Sequence, residues 1–500
     1  MSSSPAPTTD TAAPPPDGDA AYRAMGQRDA RFDGRVFVGV TSTGVYCRPV
    51  CRVRLPRREN CRFFATAAQA EHGGFRPCLR CRPELAPGLS LNDSSQVLAD
   101  QAASRLLQAV HEGRELPLPT LAARLGITDR HLRRIFQQRH GVTPLAWLTT
   151  QRLLLAKQLL TDTRLPVTEV ALSAGFGSLR RFNAVFAERY RLNPSSLRRA
   201  GATPEPAAGE TPAADTLRLA WRPPYDVDGV LGFVARRAVP GQEQVDGRHW
   251  RRTLALTHQG RPLQGWIALH FEPGRDGLSL TVAPGLRPAL GLLLPRARHA
   301  LDLDADPQAI AHALGTLPVP PRPGVRLAGH WDGFESAVRV ILGQQVTVAA
   351  ARTLTQRLVQ RFGTPVQTPF PGLDRLFPDA ATLATADPAD IGTLGIVRQR
   401  VRALQALAAE VAEGRLRLQP DADLHETLAA LQALPGIGPW SAQLIALRAL
   451  AWTDAWPASD IGLLKALGSR DMADGSARAE AWRPWRSYAL MTLWLSLETP

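Results

Sequence analysis

Lysine is almost missing from this chain of 500 residues: Lys157 and Lys465 are the only two among 59 basic residues. The positive charge is therefore arginine's, whose planar fork suits phosphate oxygens and guanine edges, although a genome rich in G and C would favour arginine codons too. Long hydrophobic runs are missing as well. No apolar stretch approaches the ~18–20 residues a bilayer demands, which excludes a membrane-integrated class. The opening residues, MSSSPAPTTDTAAPPPDGD, hold neither a basic start nor an apolar stretch, so no secretory signal is expected and the thiols should stay reduced. Cysteine is confined to positions 47–81 and absent from the 419 residues that follow, which excludes thiol chemistry and cysteine-held clusters from most of the chain.

What is present points to several packed domains. An apolar fraction of 44% supports ordinary cores, and at roughly 100–200 residues per domain three or four are expected. The net charge of +14 is unevenly spread. Residues 1–200 hold 29 basic and 16 acidic residues, whereas residues 201–500 hold 30 and 29. Codon bias cannot produce that asymmetry; a front part that grips a polyanion through side chains can.

Two stretches are too poor in large apolar groups to fold: residues 1–20, a tail, and 201–214, a Pro/Ala linker. Between them lie a cysteine-bearing segment (21–88) and a helical one (92–200). Beyond the linker, residues 215–320 mix helix with alternating strand-like runs (TLALTH, WIALHF, LSLTVA), and 321–500 reads as helices punctuated by Gly and Pro. The expected fold class is multidomain and mainly α with α+β parts.

Four cysteines form two close pairs, Cys47-x3-Cys51 and Cys78-x2-Cys81, separated by 26 residues. Such pairs closing one loop suit tetrahedral Zn2+; disulfides are the alternative, disfavoured in a reducing compartment. Cys61 reads as a small core residue. Four thiolates on one Zn2+ leave a charge of −2 and electron-rich sulfurs, so the site is either purely structural or nucleophilic. Arg48, Arg52, Arg54, Arg57, Arg58 and Arg62 crowd the segment in and after the first pair, where they would meet a phosphate backbone.

The runs FDGRVFVGVTSTGVYCRPVCR and FRPCLRCRPE closely resemble the zinc domain of the Ada family over about 65 residues. The resemblance implies that Cys47 accepts a methyl group irreversibly from a DNA methyl phosphotriester, that Cys51, Cys78 and Cys81 complete the zinc site, and that Thr43, Arg54 and Arg76 contact DNA. Methylating one thiolate would take the centre from −2 to −1, weakening its repulsion from phosphate.

Two stretches in 92–200 look alike. LPTLAARLGITDRHLRRIFQQRHGVTPLAWL places a turn at Gly126 and a helix from Thr128; VTEVALSAGFGSLRRFNAVFAERYRLNPSSLRR places a turn at Gly175 and a helix from Ser178. Each reads as a helix-turn-helix with the second helix available to the major groove. Leu132, Ile135 and Phe136 fall at core spacing; Arg130, Arg133, Arg134, Arg180 and Arg181 are the DNA-contact candidates, with a solvated surface role the alternative. The tandem resembles the AraC-type DNA-binding domain, whose two recognition helices would reach groove segments about 34 Å apart. The Ada family carries this module directly after its zinc domain, followed by a methyltransferase domain with a PCHR cysteine, which this sequence lacks.

In the last part, LPGIGPW (434–440) is a Gly-x-Gly turn between helical stretches. Gly436 and Gly438 would let backbone N–H groups bind phosphate at a helix start without charged side chains, which fits a part with almost no net charge; a plain helix cap is the alternative. Asp460 follows in WPASDIGLLKALG, an N-cap position by local sequence, with Trp440 and Trp494 supplying aromatic faces. Together with RPPYDVDGVLGFVARRAV, LDLDADPQAI and DGFESAVRVILGQQVTVAAARTL, these residues resemble the AlkA type of the HhH-GPD superfamily of DNA glycosylases over nearly all of 217–496.

That resemblance implies flipping of an alkylated base such as 3-methyladenine into a pocket of Trp440 and Trp494, with Asp460 stabilising the oxocarbenium sugar. Gln345 stands where a plug fills the space the base leaves; AlkA has an apolar wedge there. Leu444 replaces an aromatic pocket residue. Trp440 stands where lyase members place a Schiff-base lysine, so no strand cleavage is expected. The four cysteines of iron–sulfur members are absent near the C-terminus, so no such cluster is expected, while a monovalent cation is expected at the hairpin.

The combined expectation is a fused alkylation sensor and repair enzyme: a monofunctional glycosylase plus single-turnover methyl transfer to Cys47. It binds one Zn2+ and double-stranded DNA at lesions and promoters, has RNA polymerase as a possible partner and no membrane, and works as a nucleoid-associated cytoplasmic monomer. One alternative is a methyl-responsive transcription factor whose glycosylase-like half only grips DNA; another treats the zinc site as structural. The arginine-rich part should show the steeper salt dependence, a log–log slope of about −0.9 per phosphate contacted.

Overall fold

Alternating apolar residues mark strands of the larger of two separate sheets, as in DTLRLA and GLSLTV, and 3.6-residue periodicity builds the helices around and after them. The computed structural model describes residues 18–498 except 30, 31, 34, 35, 66, 82, 84–90, 112–115, 164, 201–214, 259 and 330. The fold is multidomain and mainly helical with α+β parts. It divides into two units, residues 1–107 with 116–149 and residues 108–115 with 150–500. The expected linker 201–214 and residues 1–17 of the expected tail lie outside the described residues. The tail's last residues differ from expectation: α1 (Gly18–Gln27) begins inside it, because Ala21, Ala24 and Met25 give that stretch a buried face.

In the first unit, β1 (Phe37–Val40), β2 (Val45–Cys47), β3 (Cys61–Phe64) and β4 (Arg76–Pro77) form a sheet in the order β3-β1-β2-β4, with α2 (Ala67–His72) alongside. β1 pairs antiparallel with β2 and β3, and β2 pairs parallel with β4. Tyr46 is fully buried and donates its hydroxyl to Glu71 Oε1 at 2.8 Å. After α3 (Leu91–His111) come α4 (Leu118–Arg124) and α5 (Asp129–His140), packed on Ala102, Ala103 and Leu106 through Leu121, Ala122, Leu132 and Phe136.

The division between units falls within α3 and α6 (Pro144–Asp162). In the second unit, α7 (Val167–Ser173), α8 (Leu179–Tyr190) and α9 (Pro194–Ala200) precede a five-stranded antiparallel sheet. Its strands are β5 (Asp215–Ala220), β6 (Glu243–Asp246), β7 (His249–His258), β8 (Arg261–Phe271) and β9 (Gly277–Val282), in the order β5-β9-β8-β7-β6. The three strand-like runs of the sequence are β7, β8 and β9. α10 (Val227–Arg237), α11 (Leu290–Ala300) and α12 (Pro307–Ala313) complete this part. A side chain on Gly291 of α11 would lie 3.0 Å from Ser173 O and 3.2 Å from His111 O, so glycine permits a close approach between α11 and the segments before the sheet.

The remaining helices are α13 (Gly333–Leu342), α14 (Val348–Phe362), α15 (Ala380–Thr385), α16 (Pro388–Thr393), α17 (Arg398–Ala412), α18 (Leu424–Ala433), α19 (Pro439–Ala449), α20 (Ile461–Leu467), α21 (Met472–Ala479) and α22 (Arg486–Glu498). They enclose one large apolar core in which α13 is almost wholly buried. A buried ionic quartet seats α13 on the sheet: Arg252 bonds Glu243 at 2.9 Å and Glu335 at 2.7 Å, and Arg339 bonds Glu243 at 2.8 Å. Such a quartet contributes more to register than to stability, since the desolvation of four charges offsets much of their attraction.

Candidate functional site

The first site is built by a strand pair and two knuckles. Parallel pairing of Val45 with Arg76 and Tyr46 with Pro77 delivers the next residues, Cys47 and Cys78, side by side, and Cys78 N donates to Tyr46 O at 3.0 Å. A turn closed by Cys51 N and Arg48 O brings Cys51 back, and the second knuckle adds Cys81. The four Sγ atoms lie within 4.8 Å of one another. Hydrogen bonding to Cys51, then to Cys81, pushes the Cys47 thiol up, while bonds from Cys47 and Cys81 hold the Cys51 thiol down. The all-sulfur donor set, converging within that distance, fits tetrahedral Zn2+. The four cysteines hold one Zn2+.

Burial does not single out one sulfur, since Cys47 is 3% exposed, Cys51 2%, Cys78 8% and Cys81 0%. Cys61 lies in the same core but outside the metal cluster, its Sγ 3.4 Å from Arg57 O. Thr43, Arg54 and Arg76 are all exposed, and Arg76 N donates to Gly44 O at 2.9 Å, which puts Arg76 beside the turn that carries Thr43. One of the six clustered arginines differs from the expected phosphate-facing role. Arg48 is fully buried, with Nε 2.6 Å from Oδ1 of the largely buried Asp33, whose carboxylate compensates its charge. Arg58 bonds Asp19 at 3.0 Å and lies 4.8 Å over the Phe63 ring.

The tandem units each have the expected turn. Gly126 and Gly175 take positive φ (67° and 79°), and Thr128 and Ser178 are N-caps rather than first helical residues, each accepting an N–H at 3.2 Å. Leu132, Ile135 and Phe136 are buried, as are Phe182 and Phe186. Arg130, Arg133, Arg134, Arg180 and Arg181 are exposed. Arg133 is tied to Asp129 at 2.9 Å, so α5 screens part of its own charge, and Arg134 lies 3.0 Å from His131 Nδ1.

The third site lies around α19 and α20. Asp460 is the N-cap of α20, its Oδ1 accepting from Leu463 N at 2.8 Å, and it is 9% exposed. The structure brings Trp440 and Trp494 onto the same carboxylate: Trp440 Nε1 donates to Oδ2 at 3.0 Å and Trp494 Nε1 to Oδ1 at 2.9 Å. Aromatic faces alone were expected from these tryptophans; the donated N–H edges were not legible. α22, which carries Trp494, is fixed to the loop before Asp460 by Arg486 Nε on Asp454 Oδ1 (2.7 Å) and Ser487 Oγ on Trp452 O (2.7 Å). Gly462 completes the arrangement: a Cβ there would lie 3.2 Å from Asp460 Oδ1 and 3.4 Å from Trp494. Leu444, one turn beyond Trp440, is buried.

The hairpin joins α18 to α19. Gly436 takes φ 77° and a Cβ on it would press on Ala403 at 3.2 Å, whereas nothing lies within 4 Å of a Cβ on Gly438, the N-cap of α19. Ile437 is buried and anchors the turn. Gln345 is exposed in the turn between α13 and α14 with φ 53°, a left-handed conformation uncommon for a residue with a side chain. Gln344 carries no signal in the sequence beyond its place beside Gln345 in ILGQQV. Its Nε2 donates to Gly436 O at 2.8 Å and Ser441 Oγ at 2.9 Å. Among the described residues no helix is long and apolar enough to cross a membrane.

Comparison with known proteins matches these three sites to known families. Residues 20–84 match the metal-binding domain of Ada, residues 121–200 a helix-turn-helix domain, residues 216–332 the AlkA N-terminal domain and residues 338–485 the HhH-GPD superfamily of base excision DNA repair proteins. The chain is 41% identical over 506 residues, spanning 97% of both chains, to a probable bifunctional transcriptional activator/DNA repair enzyme AlkA of Mycobacterium tuberculosis. It is 37% identical over 276 residues, 55% of this chain and 95% of the other, to DNA-3-methyladenine glycosylase 2 of Escherichia coli. It is 36% identical over 160 residues, 32% of this chain and 42% of the other, to the bifunctional transcriptional activator/DNA repair enzyme Ada of the same organism. The chain belongs to the family of AlkA-type bifunctional transcriptional activator/DNA repair proteins, in which an Ada-type metal-binding and helix-turn-helix part precedes an HhH-GPD glycosylase part.

Proposed function

We propose that this protein excises alkylated bases from DNA as a monofunctional glycosylase and, through Cys47, senses methyl phosphotriesters to regulate transcription. The observation that carries the enzymatic half is the carboxylate of Asp460, held by the N–H groups of Leu463, Trp440 and Trp494. Three donors fix both oxygens before substrate arrives, which is the preorganisation that stabilises a developing charge without reorganisation cost.

A purine alkylated at N3 or N7 is cationic and departs readily once flipped from the stack. The indoles of Trp440 and Trp494 attract it by cation–π interaction, worth ~0.5–2 kcal/mol each. As the N-glycosidic bond breaks, its electrons leave with the base. The sugar becomes an oxocarbenium ion that the Asp460 carboxylate stabilises, and water then adds at the anomeric carbon with loss of a proton. The outward N–H groups at Gly438 and the first turn of α19 hold a backbone phosphate beside the lesion. Gln345 fills the vacated space in the duplex.

In the sensing half, zinc supplies a permanently deprotonated, electron-rich thiolate set. Cys47 attacks the methyl carbon of the phosphotriester, an S–C bond forms as the C–O bond breaks, and the phosphodiester leaves as its anion. Thr43, Arg54 and Arg76 are exposed to hold the backbone, and the helix-turn-helix arginines Arg133, Arg134, Arg180 and Arg181 to hold promoter DNA. Losing one negative charge then raises DNA affinity.

Base release from duplexes carrying single damaged bases, wild type beside Asp460→Asn, tests the enzymatic half; equal release by the two proteins refutes it. Intact mass after exposure to methylated DNA tests the other half, and a chain that gains no methyl on Cys47 is not a phosphotriester sensor.

A further inference from the structure

Gln344 is braced at both ends of its residue. Its side-chain Nε2 reaches across to the hairpin, donating to Gly436 O at 2.8 Å and to the hydroxyl of buried Ser441 at 2.9 Å. Its main-chain oxygen accepts from the guanidinium of Arg400 on α17. The next residue, Gln345, is exposed and held at φ 53°, and the turn closes on Thr347, whose hydroxyl caps α14 by accepting from Ala350 N at 3.2 Å. A left-handed, side-chain-bearing residue is strained and persists only where its surroundings enforce it. Here the enforcing contacts lead directly to the hairpin.

Two parts of the DNA grip therefore share one connection. The Gly436 carbonyl, held on the protein side by Gln344, orients the turn that leads to the Gly438 and α19 N–H groups. The same residue's main chain sets where Gln345 starts. From this geometry we propose that Gln344 is a positioning residue that fixes the register between the phosphate held at the hairpin and the Gln345 side chain inserted into the duplex. This rests on the glycosylase reading above but assigns to Gln344 a role separate from the chemistry. A plug displaced by about 1 Å relative to the gripped phosphate would no longer fill the space the base leaves; in an enzyme's rate a misplacement of that size can cost about a hundredfold. Neither glutamine touches Asp460 through any contact described, so the effect belongs to extrusion and not to bond cleavage.

The test is a double-mutant cycle read by 2-aminopurine fluorescence in a duplex with one N7-methylguanine beside the reporter. Gln344→Leu should lower the extrusion equilibrium about tenfold or more in the presence of Gln345 and change it less than twofold in a Gln345→Ala background, because the lost register matters only while there is a plug to misplace. Arg400→Met, which removes the brace on the main-chain oxygen, should show the same dependence on Gln345. Melting temperatures for all variants identify any that fail to fold. If Gln344→Leu and Arg400→Met cost the same with and without Gln345, they stabilise the hairpin alone and the inference is wrong. Extrusion does not require cleavage, so failure of wild type to release base would overturn the proposed activity while leaving this cycle readable.

Discussion

Trp494 Nε1 lies 2.9 Å from Asp460 Oδ1 and, across the carboxylate, Trp440 Nε1 lies 3.0 Å from Oδ2. Each indole thus serves the site by its edge as well as by its ring. Removing a donor while keeping an aromatic ring separates the two roles. Trp494→Phe should lower the single-turnover rate of base release by about 100-fold, the low end of the range for losing one preorganised hydrogen bond, with substrate affinity changed only severalfold. A variant that loses affinity and keeps its rate would assign Trp494 to base stacking only.

Gly462 separates stability from activity. Alanine is favoured over glycine in a helix by up to about 1 kcal/mol, yet its Cβ would press on Asp460 Oδ1 at 3.2 Å and the Trp494 ring at 3.4 Å. Gly462→Ala should therefore melt within a few degrees of wild type and release base at least several times more slowly. A fully active Gly462→Ala would show that the carboxylate clamp tolerates displacement.

The core around the metal is largely sulfur, beside a separate small buried cluster of Phe37, Tyr46, Ala70 and Phe75. Of nine residues in the buried cluster around the metal ligands, five are cysteines, the others being Ala21, Met25, Val36 and Val38. Chelation should abolish its cooperative fold, as in small metal-dependent domains, while base release by the second unit continues. Elemental analysis should find one zinc per chain, lost in Cys51→Ala and retained in Cys61→Ala. Retention of folded sheet signal after complete chelation would contradict this.

Two groups make stability depend on pH in opposite directions. Burial pushes Asp302 up to about 6 from 3.8, so its stabilising contribution is complete below pH 3.8 and is lost as pH rises through 6. Between pH 4 and 7, wild type should lose up to about 3 kcal/mol relative to Asp302→Asn. Burial pushes His111 down to about 4 from 6.5, so its contribution is present above pH 6.5 and is lost as pH falls through 4. His111→Gln should flatten the acid limb of the curve. Melting temperatures across pH 4–8 for the three proteins check both signs.

Much of the architecture was legible because it is local. Cysteine spacing announced the metal site, Gly126 and Gly175 announced the turns of the tandem helical units, and the apolar spacing of Leu132, Ile135 and Phe136 marked their buried face. Alternation in TLALTH, WIALHF and LSLTVA marked β7, β8 and β9. β6 was not legible, since EQVD carries no alternating apolar face, and α1 was hidden by the Pro/Ala-rich residues before it.

The sequence by itself determined the kinds of chemistry available: four thiolates for a metal, arginine-rich helices for a polyanion, a glycine hairpin and one aspartate at a helix start. Spacing along the chain decides those features, and they survive any arrangement of the parts. Only the tertiary structure decided partnership. Asp460 lies 20 residues from Trp440 and 34 from Trp494, and Gln344 is 92 residues from the glycine whose carbonyl it holds. Arg48, one of six neighbouring arginines in sequence, is the one buried against Asp33. Hydrogen bonds are directional and short-ranged, so which donor meets which acceptor is fixed by packing between distant segments, and no local pattern encodes it.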